Sequence, residues 1–267
     1  MKADAKLHAC LVVPCFNEAS RLDLSAFRSG LRDLDWLHIR FVDDGSTDDT
    51  PTILESLRSE FPDRLSVMVL PGNRGKAEAV RQGLLSIDQR FSFCGFWDAD
   101  LAAPLSEVHQ LREALLQRPT LQWAHGVRLR SLGRTITRNS ARHYAGRLFA
   151  TAASILTGIN AYDTQCGAKL FRNTSLLEIV IEQPFVSKWI FDLEMLLRAD
   201  MLLRSRLGGG VECAVLEIPL SHWRHQRGSK LSLMDFLRAC SDLIRIMSSK
   251  RTTVPNAPVP DNTSAYE

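Results

Sequence analysis

The feature that most constrains this chain is an alternation of patterns in its first half, with no internal sequence repeat: four times a short apolar run leads into a polar or acidic cluster and then a helical pattern. Leu11-Val12-Val13-Pro14 runs into Cys15-Phe16-Asn17-Glu18, and Ile39-Arg40-Phe41-Val42 into Asp43-Asp44-Gly45-Ser46-Thr47-Asp48-Asp49-Thr50. Leu65 to Leu70 runs into Pro71-Gly72-Asn73-Arg74-Gly75-Lys76, and Phe93 to Trp97 into Asp98-Ala99-Asp100. Apolar runs of this length bounded by turn residues predict buried strands. Between them Leu22, Phe27, Leu31 and Leu34, then Ile53, Leu54, Leu57 and Phe61, recur near helical spacing, and Ala77 to Ile87 and Leu105 to Leu116 read as further helices. A βαβαβαβα order with short connections predicts an α/β domain, a mostly parallel central sheet with helices on both faces. Ligands of such sheets bind at the carboxyl ends of the strands. Every acidic cluster and the Arg74/Lys76 loop fall there. No Gly-x-Gly-x-x-Gly follows the first strand and no P-loop is present, which argues against a dinucleotide or P-loop site.

The second half is less regular. Gln122 to Val127 reads as a strand ending in Arg128-Leu129-Arg130, followed by the basic stretch Arg134, Arg138, Arg142, His143 and Arg147. Asn139 to Leu156 and Phe191 to Leu203 read as helices, Val211 to Pro219 as a strand, and Ser232 to Met247 as an amphipathic helix. The polar loop Asp163 to Lys169 leads to Leu170-Phe171, and the proline-bearing stretch from Lys250 reads as a disordered tail. With 267 residues and 45% hydrophobic content, the chain can bury one large core. A net charge of +3 gives no reason to expect nucleic acid. Six cysteines without a C-x-x-C predict reduced, mostly buried thiols and a cytoplasmic protein. No apolar run approaches the roughly 20 residues a spanning helix needs.

Particular residues carry the chemistry. In an extended segment Asp98 and Asp100 point to one side and can converge on one ligand. Two hard oxygen donors suit Mg²⁺ or Mn²⁺, which share substrate phosphates; a solvated acidic turn is the other reading. Asp43-Asp44 has one carboxylate more than a helix cap needs, so one is available to a base N–H or ribose hydroxyls. Arg74 and Lys76 suit a diphosphate; taken by itself, the loop reads first as a solvated one. One or two of Arg128, Arg130, Arg134 and Arg138 suit an anionic acceptor. Asp163, Asp192 and Glu194 are the candidate acids of the second half. Asp192 and Glu194 cannot share a helix face, so at most one joins Asp163. Trp189 and Trp223 read as packing residues, and His222 with His225 lacks a third ligand for zinc.

Together these motifs, from about Leu11 to Met247, resemble glycosyltransferase family 2, of the GT-A (nucleotide-diphospho-sugar transferase) fold. Val13 to Glu18, Val42 to Asp48, Asn73 to Lys76 and Asp98-Ala99-Asp100 are the general family motifs. Asp163 to Phe171, Trp189 to Glu194, and Trp223 with Gly228-Ser229-Lys230-Leu231 resemble its polyprenyl-phosphate and dolichyl-phosphate β-glucosyltransferase subgroup. The resemblance implies a domain over residues 1–249, divided into a nucleotide-binding half (8–127) and an acceptor half (128–249), with 250–267 as the tail. It implies that Pro14, Glu18, Asp43, Asp44, Arg74, Lys76 and Asp98 bind the nucleotide sugar. Asp98 and Asp100 would hold a divalent metal, Mg²⁺ or Mn²⁺. Asp100, Arg128 and Asp163 would be the catalytic group, and Gln165, Lys169, Asp192, Glu194, Trp223, Ser229 and Lys230 would line the sugar or acceptor side. The implied reaction inverts a hexose from UDP-glucose onto a polyprenyl or dolichyl phosphate. A sugar-hydroxyl acceptor and a non-catalytic nucleotide-sugar-binding protein are the alternatives. Leu101 stands where the glucosyltransferase relatives usually carry Gly, and matches the mannosyltransferase branch there. Many relatives carry a transmembrane anchor. For this chain the expectation is peripheral contact with the cytoplasmic membrane face through the helix near Leu231 to Ile246 and the basic stretch Arg134 to Arg147, or packing of that helix on the domain.

Overall fold

The computed structural model describes residues 8–137, 140–224 and 233–249. Arg138, Ser229, Lys230 and the 250–267 tail lie outside the described residues, as do the side chains of Arg142, His143 and Arg147. The strands are β1 (Ala9–Cys15), β2 (Leu37–Asp43), β3 (Leu65–Val69), β4 (Phe93–Trp97), β5 (Trp123–Val127), β6 (Thr135–Thr137), β7 (Ala168–Arg172), β8 (Val215–Pro219) and β9 (His222–Arg224). The helices are α1 (Leu24–Asp33), α2 (Thr50–Glu60), α3 (Lys76–Leu85), α4 (Val108–Gln117), α5 (Ser140–Thr157), α6 (Ser175–Glu182), α7 (Phe191–Leu207), α8 (Val211–Ala214) and α9 (Leu233–Ser249).

Seven strands form one sheet in the order β3-β2-β1-β4-β7-β5-β8. All neighbours are parallel except β7, which runs antiparallel to both β4 and β5. The four strand–turn–helix units of the first half supply β1 to β4, and β1 to β4 pair in parallel as expected of a mostly parallel sheet. Sequence reading left Leu170-Phe171 without an element, yet they are the middle of β7. This reversed strand matters for the site: because it runs the other way, the polar loop before it lies at the carboxyl ends of β4 and β5. Val211 to Ala214, expected as strand, is instead the short helix α8. The left-handed Gly208 ends α7, and the chain joins the sheet only at Val215.

Side-chain alternation along the strands divides the interior into two cores. On one face Ala9, Leu11 and Val13 of β1 and Phe93 and Trp97 of β4 pack with Phe27 and Leu31 of α1, Leu54 and Leu57 of α2, and Val108 and Leu111 of α4. On the other Cys10, Val12, Cys94 and Phe96 pack with Val80 and Leu84 of α3, Val180 of α6 and Leu193 and Leu196 of α7. This is the strand period of 2 meeting the helix period of 3.6. α9 joins the second core through Ala239, Leu243 and Ile246, so that face packs on the domain. Cys10, Cys15, Cys94 and Cys166 are buried, Cys213 is exposed, and all six cysteines are free thiols. No helix among the described residues is long and apolar enough to cross a membrane.

At the opposite end of the sheet from the site, the His38 ring meets His8 at 5.4 Å and Phe91 at 4.8 Å. Burial first, then His8, Arg90 and Arg64, push its pKa from 6.5 down to about 4. The unfolded chain therefore binds the extra proton first as pH falls. The stability contributed by a neutral His38 is lost between about pH 6.5 and about pH 4 and no further below that. Solvent screening of the partly buried ring limits the loss to roughly 1–2 kcal/mol. His38→Gln is expected to flatten this limb of a stability–pH curve measured by urea unfolding.

Candidate active site

The carboxyl ends of β1, β2 and β4 and the start of α3 surround an open cleft of about 220 Å³ lined by Pro14, Phe16, Glu18, Asp44, Lys76, Asp98 and Asp100, among others. Its walls are held by backbone hydrogen bonds to polar side chains. Asn17, in a left-handed conformation (φ 52°), accepts from Thr47 N at 2.8 Å, while its own N–H donates to Ser46 Oγ at 2.9 Å. Asp43 Oδ1 accepts from Ser46 N at 3.2 Å and from the Ser46 hydroxyl. Its Oδ2 is buried with no hydrogen-bond partner. Asp44 accepts from Arg74 N at 2.8 Å and Gly75 N at 2.7 Å. Of the acidic pair expected to face the nucleoside, Asp43 thus braces its own turn and Asp44 clamps the neighbouring loop while still lining the cleft. Gly75 sits at φ 95°, a conformation L side chains rarely adopt, and this lets consecutive N–H groups aim at one carboxylate.

Lys76 opens α3 and reaches Asp98 Oδ1 at 2.5 Å. Burial works to raise the Asp98 pKa, but Lys76, with Lys169 and Arg128, overcomes it and holds the carboxyl below the usual range. Asp100 is the reverse case. Burial and then the Asp98 charge push it up, against a hydrogen bond from Ala102 N at 3.0 Å. Glu18, at 2.6 Å from Arg21, is also raised, by burial first and by Asp100 and Asp48, with Arg21 opposing. Leu101 is in the left-handed region (φ 47°), the conformation for which Gly is the natural residue.

The loop before β7 closes the other side. Asp98 N donates to Gly167 O at 3.0 Å, and the Asp98 carboxylate lies over the Gly167 Cα. Arg128 grips Asp163 with two side-chain bonds, Nε to Oδ2 at 2.6 Å and Nη2 to Oδ1 at 2.7 Å. The guanidinium lies 5.5 Å from the Trp223 ring. Lys169, buried in β7, donates to the carbonyls of Thr164 at 2.9 Å and Cys166 at 2.6 Å. Its ammonium stands 2.6 Å from Asp192 Oδ1, yet that oxygen has no aligned hydrogen bond. Two of the three ammonium N–H donors go to the carbonyls, and the contact with Asp192 is an ion pair. Gln165 is half-buried in the same loop and does not line the cleft.

Glu194 is not brought to this group. It accepts from Val186 N at 2.9 Å and Ser187 N at 3.2 Å and pairs with Arg198 at 2.6 Å, so it braces the segment before α7. The two-residue offset on a helix had required that one of Asp192 and Glu194 point elsewhere. Sequence reading missed Glu217 of β8. Its carboxylate accepts from Tyr162 N at 2.8 Å and Asp163 N at 3.0 Å and meets His125 at 3.2 Å, and so sets the Asp163–Arg128 pair. Nothing local marks it, because it is one polar residue in an otherwise apolar edge strand. The ribbon of β6 and β9 is likewise tied in by buried Glu107, which accepts from Ser221 N and His222 N, each at 2.9 Å.

Comparison with known proteins accords with this geometry. Residues 10–180 match the family model described as glycosyl transferase family 2. A dolichyl-phosphate beta-glucosyltransferase of Saccharomyces cerevisiae is 30% identical over 266 residues, covering 91% of this chain and 75% of that protein. One of Trichomonas vaginalis is 29% identical over 254 residues, covering 91% and 73%. Among solved structures, a Mycobacterium tuberculosis glucosyl-3-phosphoglycerate synthase, in complex with Mn²⁺, uridine diphosphate and phosphoglyceric acid, superposes with a TM-score of 0.65. It shares 18% identity, with coverage of 96% of this chain and 80% of that one, and the likeness is one of fold, the GT-A architecture.

Proposed function

The chain belongs to glycosyl transferase family 2, and from that membership we propose that it inverts a hexose from UDP-glucose onto a polyprenyl or dolichyl phosphate with a divalent cation. The observation that carries the acceptor is the state of the three candidate bases. Asp163 is held by Arg128, Asp192 by Lys169 and Glu194 by Arg198, each at 2.6 Å. A hydroxyl acceptor needs a carboxylate that receives its proton in the transition state. A phosphate acceptor is already anionic and needs only orientation. Carboxylates each paired with a guanidinium or ammonium charge suit the second case. The names of the yeast and Trichomonas relatives support the same acceptor class and a glucosyl donor.

A cation fits Asp100. Burial and the Asp98 charge raise its pKa, and this is the cost that a bound cation relieves. Asp98, expected as a second ligand, is committed to Lys76 through Oδ1. Among the described residues no group of three or more His, Cys, Asp or Glu is arranged to hold a metal. Water and donor phosphate oxygens would complete the shell, as Mg²⁺ and Mn²⁺ sites on one or two carboxylates do. Bound there, the cation supplies positive charge to the leaving diphosphate. Lys76 adds to that charge from the start of α3, where the helix N-terminus also favours anions. The Asp44 clamp fixes the Arg74–Gly75 backbone on the nucleotide side, and Arg128, steadied by Asp163 and Trp223, orients the acceptor phosphate. The nucleotide-binding half ends at Val127 and the acceptor half begins at Arg128 in this reading.

A radiolabelled transfer assay tests it, with UDP-glucose or GDP-mannose, Mg²⁺ and a short polyprenyl phosphate. Label from UDP-glucose is expected in the organic phase, and EDTA is expected to abolish it. Donor hydrolysis that depends on metal, without lipid labelling, would instead favour a hydroxyl acceptor. A pattern of labelling from GDP-mannose alone would reassign the donor.

A further inference from the structure

Glu194 and Arg198 form a buried ion pair that does no work in the cleft, and what it holds is the segment Pro184-Phe185-Val186-Ser187-Lys188-Trp189-Ile190. Glu194 takes the N–H groups of Val186 and Ser187. Arg198 donates to the carbonyls of Val180, Gln183 and Pro184. The buried Ser187 hydroxyl accepts from Trp189 N at 3.1 Å and Ile190 N at 3.0 Å and donates to Asp242 of α9 at 2.6 Å. Burying a charge pair is costly and is justified only when its hydrogen bonds are complete. Here the result is a rigid loop that turns Val186 and Trp189 outward, 41% and 51% exposed, with an exposed Lys188 between them.

This arrangement has a direction and a charge. The Lys188 stem packs against Gly75, where an added Cβ would lie 3.3 Å from its Cδ, so the loop stands beside Lys76 and the Lys76–Asp98 pair at the cleft. Segment 184–190 holds no Asp or Glu. α9, joined to it through Asp242, presents Ile244 and Arg245, 65% and 69% exposed. The loop after β5, at the same edge of the sheet, presents a fully exposed Leu132 near Arg130. Trp has an apolar body and a polar N–H and settles at the boundary between acyl chains and headgroups, and lysine places its charge among the phosphates above. Apolar and basic side chains on a stiff support fit an anionic lipid surface.

We propose that the 184–190 loop is a lipid anchor, with Val186 and Trp189 entering the headgroup boundary of an anionic bilayer and Lys188 meeting its phosphates, so that the mouth of the cleft rests on the membrane. It deepens the polyprenyl-phosphate reading, on which it rests for the purpose of the contact. The test is co-flotation of the full chain with phosphatidylcholine vesicles, with and without phosphatidylglycerol, for the unaltered protein and for Val186→Asp, Lys188→Glu and Trp189→Ser. The same proteins are assayed for transfer to detergent-dispersed and vesicle-embedded polyprenyl phosphate. The unaltered protein is expected to float only with phosphatidylglycerol. Each variant is expected to lose about tenfold in both flotation and transfer on vesicles, with transfer in detergent unchanged. Absence of flotation by the unaltered protein, equal flotation by the variants, or equal flotation without phosphatidylglycerol would overturn the anchor. Flotation lost in the variants while no protein transfers sugar in detergent would sustain the anchor and remove the acceptor reading.

Discussion

Asp100→Asn is expected to lower sugar transfer by at least about a hundredfold while the melting temperature stays constant or rises. The two effects share one cause. Burial and the Asp98 charge raise the Asp100 pKa in the folded state, so the ionised carboxylate costs stability at neutral pH. A carboxylate whose folded pKa is raised favours folding only below that pKa, where it is protonated. Asn removes the charge and its cost together and keeps an oxygen for Ala102 N. Loss of the charge would also remove the carboxylate proposed to hold a cation beside the leaving diphosphate. The checks are transfer assays at saturating Mg²⁺ and a thermal melt without ligands. Transfer retained within a few-fold would dismiss Asp100 as the cation's carboxylate. A protein that bound the donor but never turned over would have no activity to lose, so the same variant separates a transferase from a pure binder.

Gly167→Ala is expected to reduce transfer nearly as far, and this time at a cost in stability. An added Cβ would lie 2.0 Å from Asp98 Oδ2 and 2.1 Å from Asp98 Cγ, inside any possible contact. The loop cannot simply retreat, because Gly167 O receives Asp98 N at 3.0 Å and the next residue, Ala168, pairs with Trp97 in the sheet. The carboxylate must turn away, and Lys76 then loses the partner that fixes its ammonium over the cleft. Forced shifts of this kind cost about 1–3 kcal/mol, and a loss of about a hundredfold in kcat follows from misplacing Lys76. Urea unfolding and initial rates measure the two effects. Unchanged rates would mean that the Asp98–Lys76 contact has no part in catalysis.

The first half of the fold was legible because its signals are local. Apolar runs such as Phe93 to Trp97 can only be buried strands at that length, and the turn residues after them leave no other boundary. The same holds for the place of the cleft, since a parallel sheet puts all those turns at one edge. The second half was less legible because its elements draw their identity from distant partners. Leu170-Phe171 is too short to announce a strand, and β7 exists because β4 and β5 leave a gap that an antiparallel strand fills. β6 and β9 are three residues each and hold through Glu107 and Ala102, far away in sequence.

By itself the sequence determined which residues carry charge, that the strand ends would gather them, and the family to which the motifs belong. Only the tertiary structure decided how those charges pair. Asp98 goes to Lys76, Asp163 to Arg128, Asp192 to Lys169 and Glu194 to Arg198, and Asp44 spends its oxygens on backbone N–H groups. These choices separate a buried ion pair from Asp100, whose pKa burial and the Asp98 charge raise. They depend on distances of a few ångströms between residues tens of positions apart, where Coulomb energy and desolvation are both large and opposite in sign. A one-dimensional pattern records the type and spacing of charges; the balance between those two energies is set by the fold.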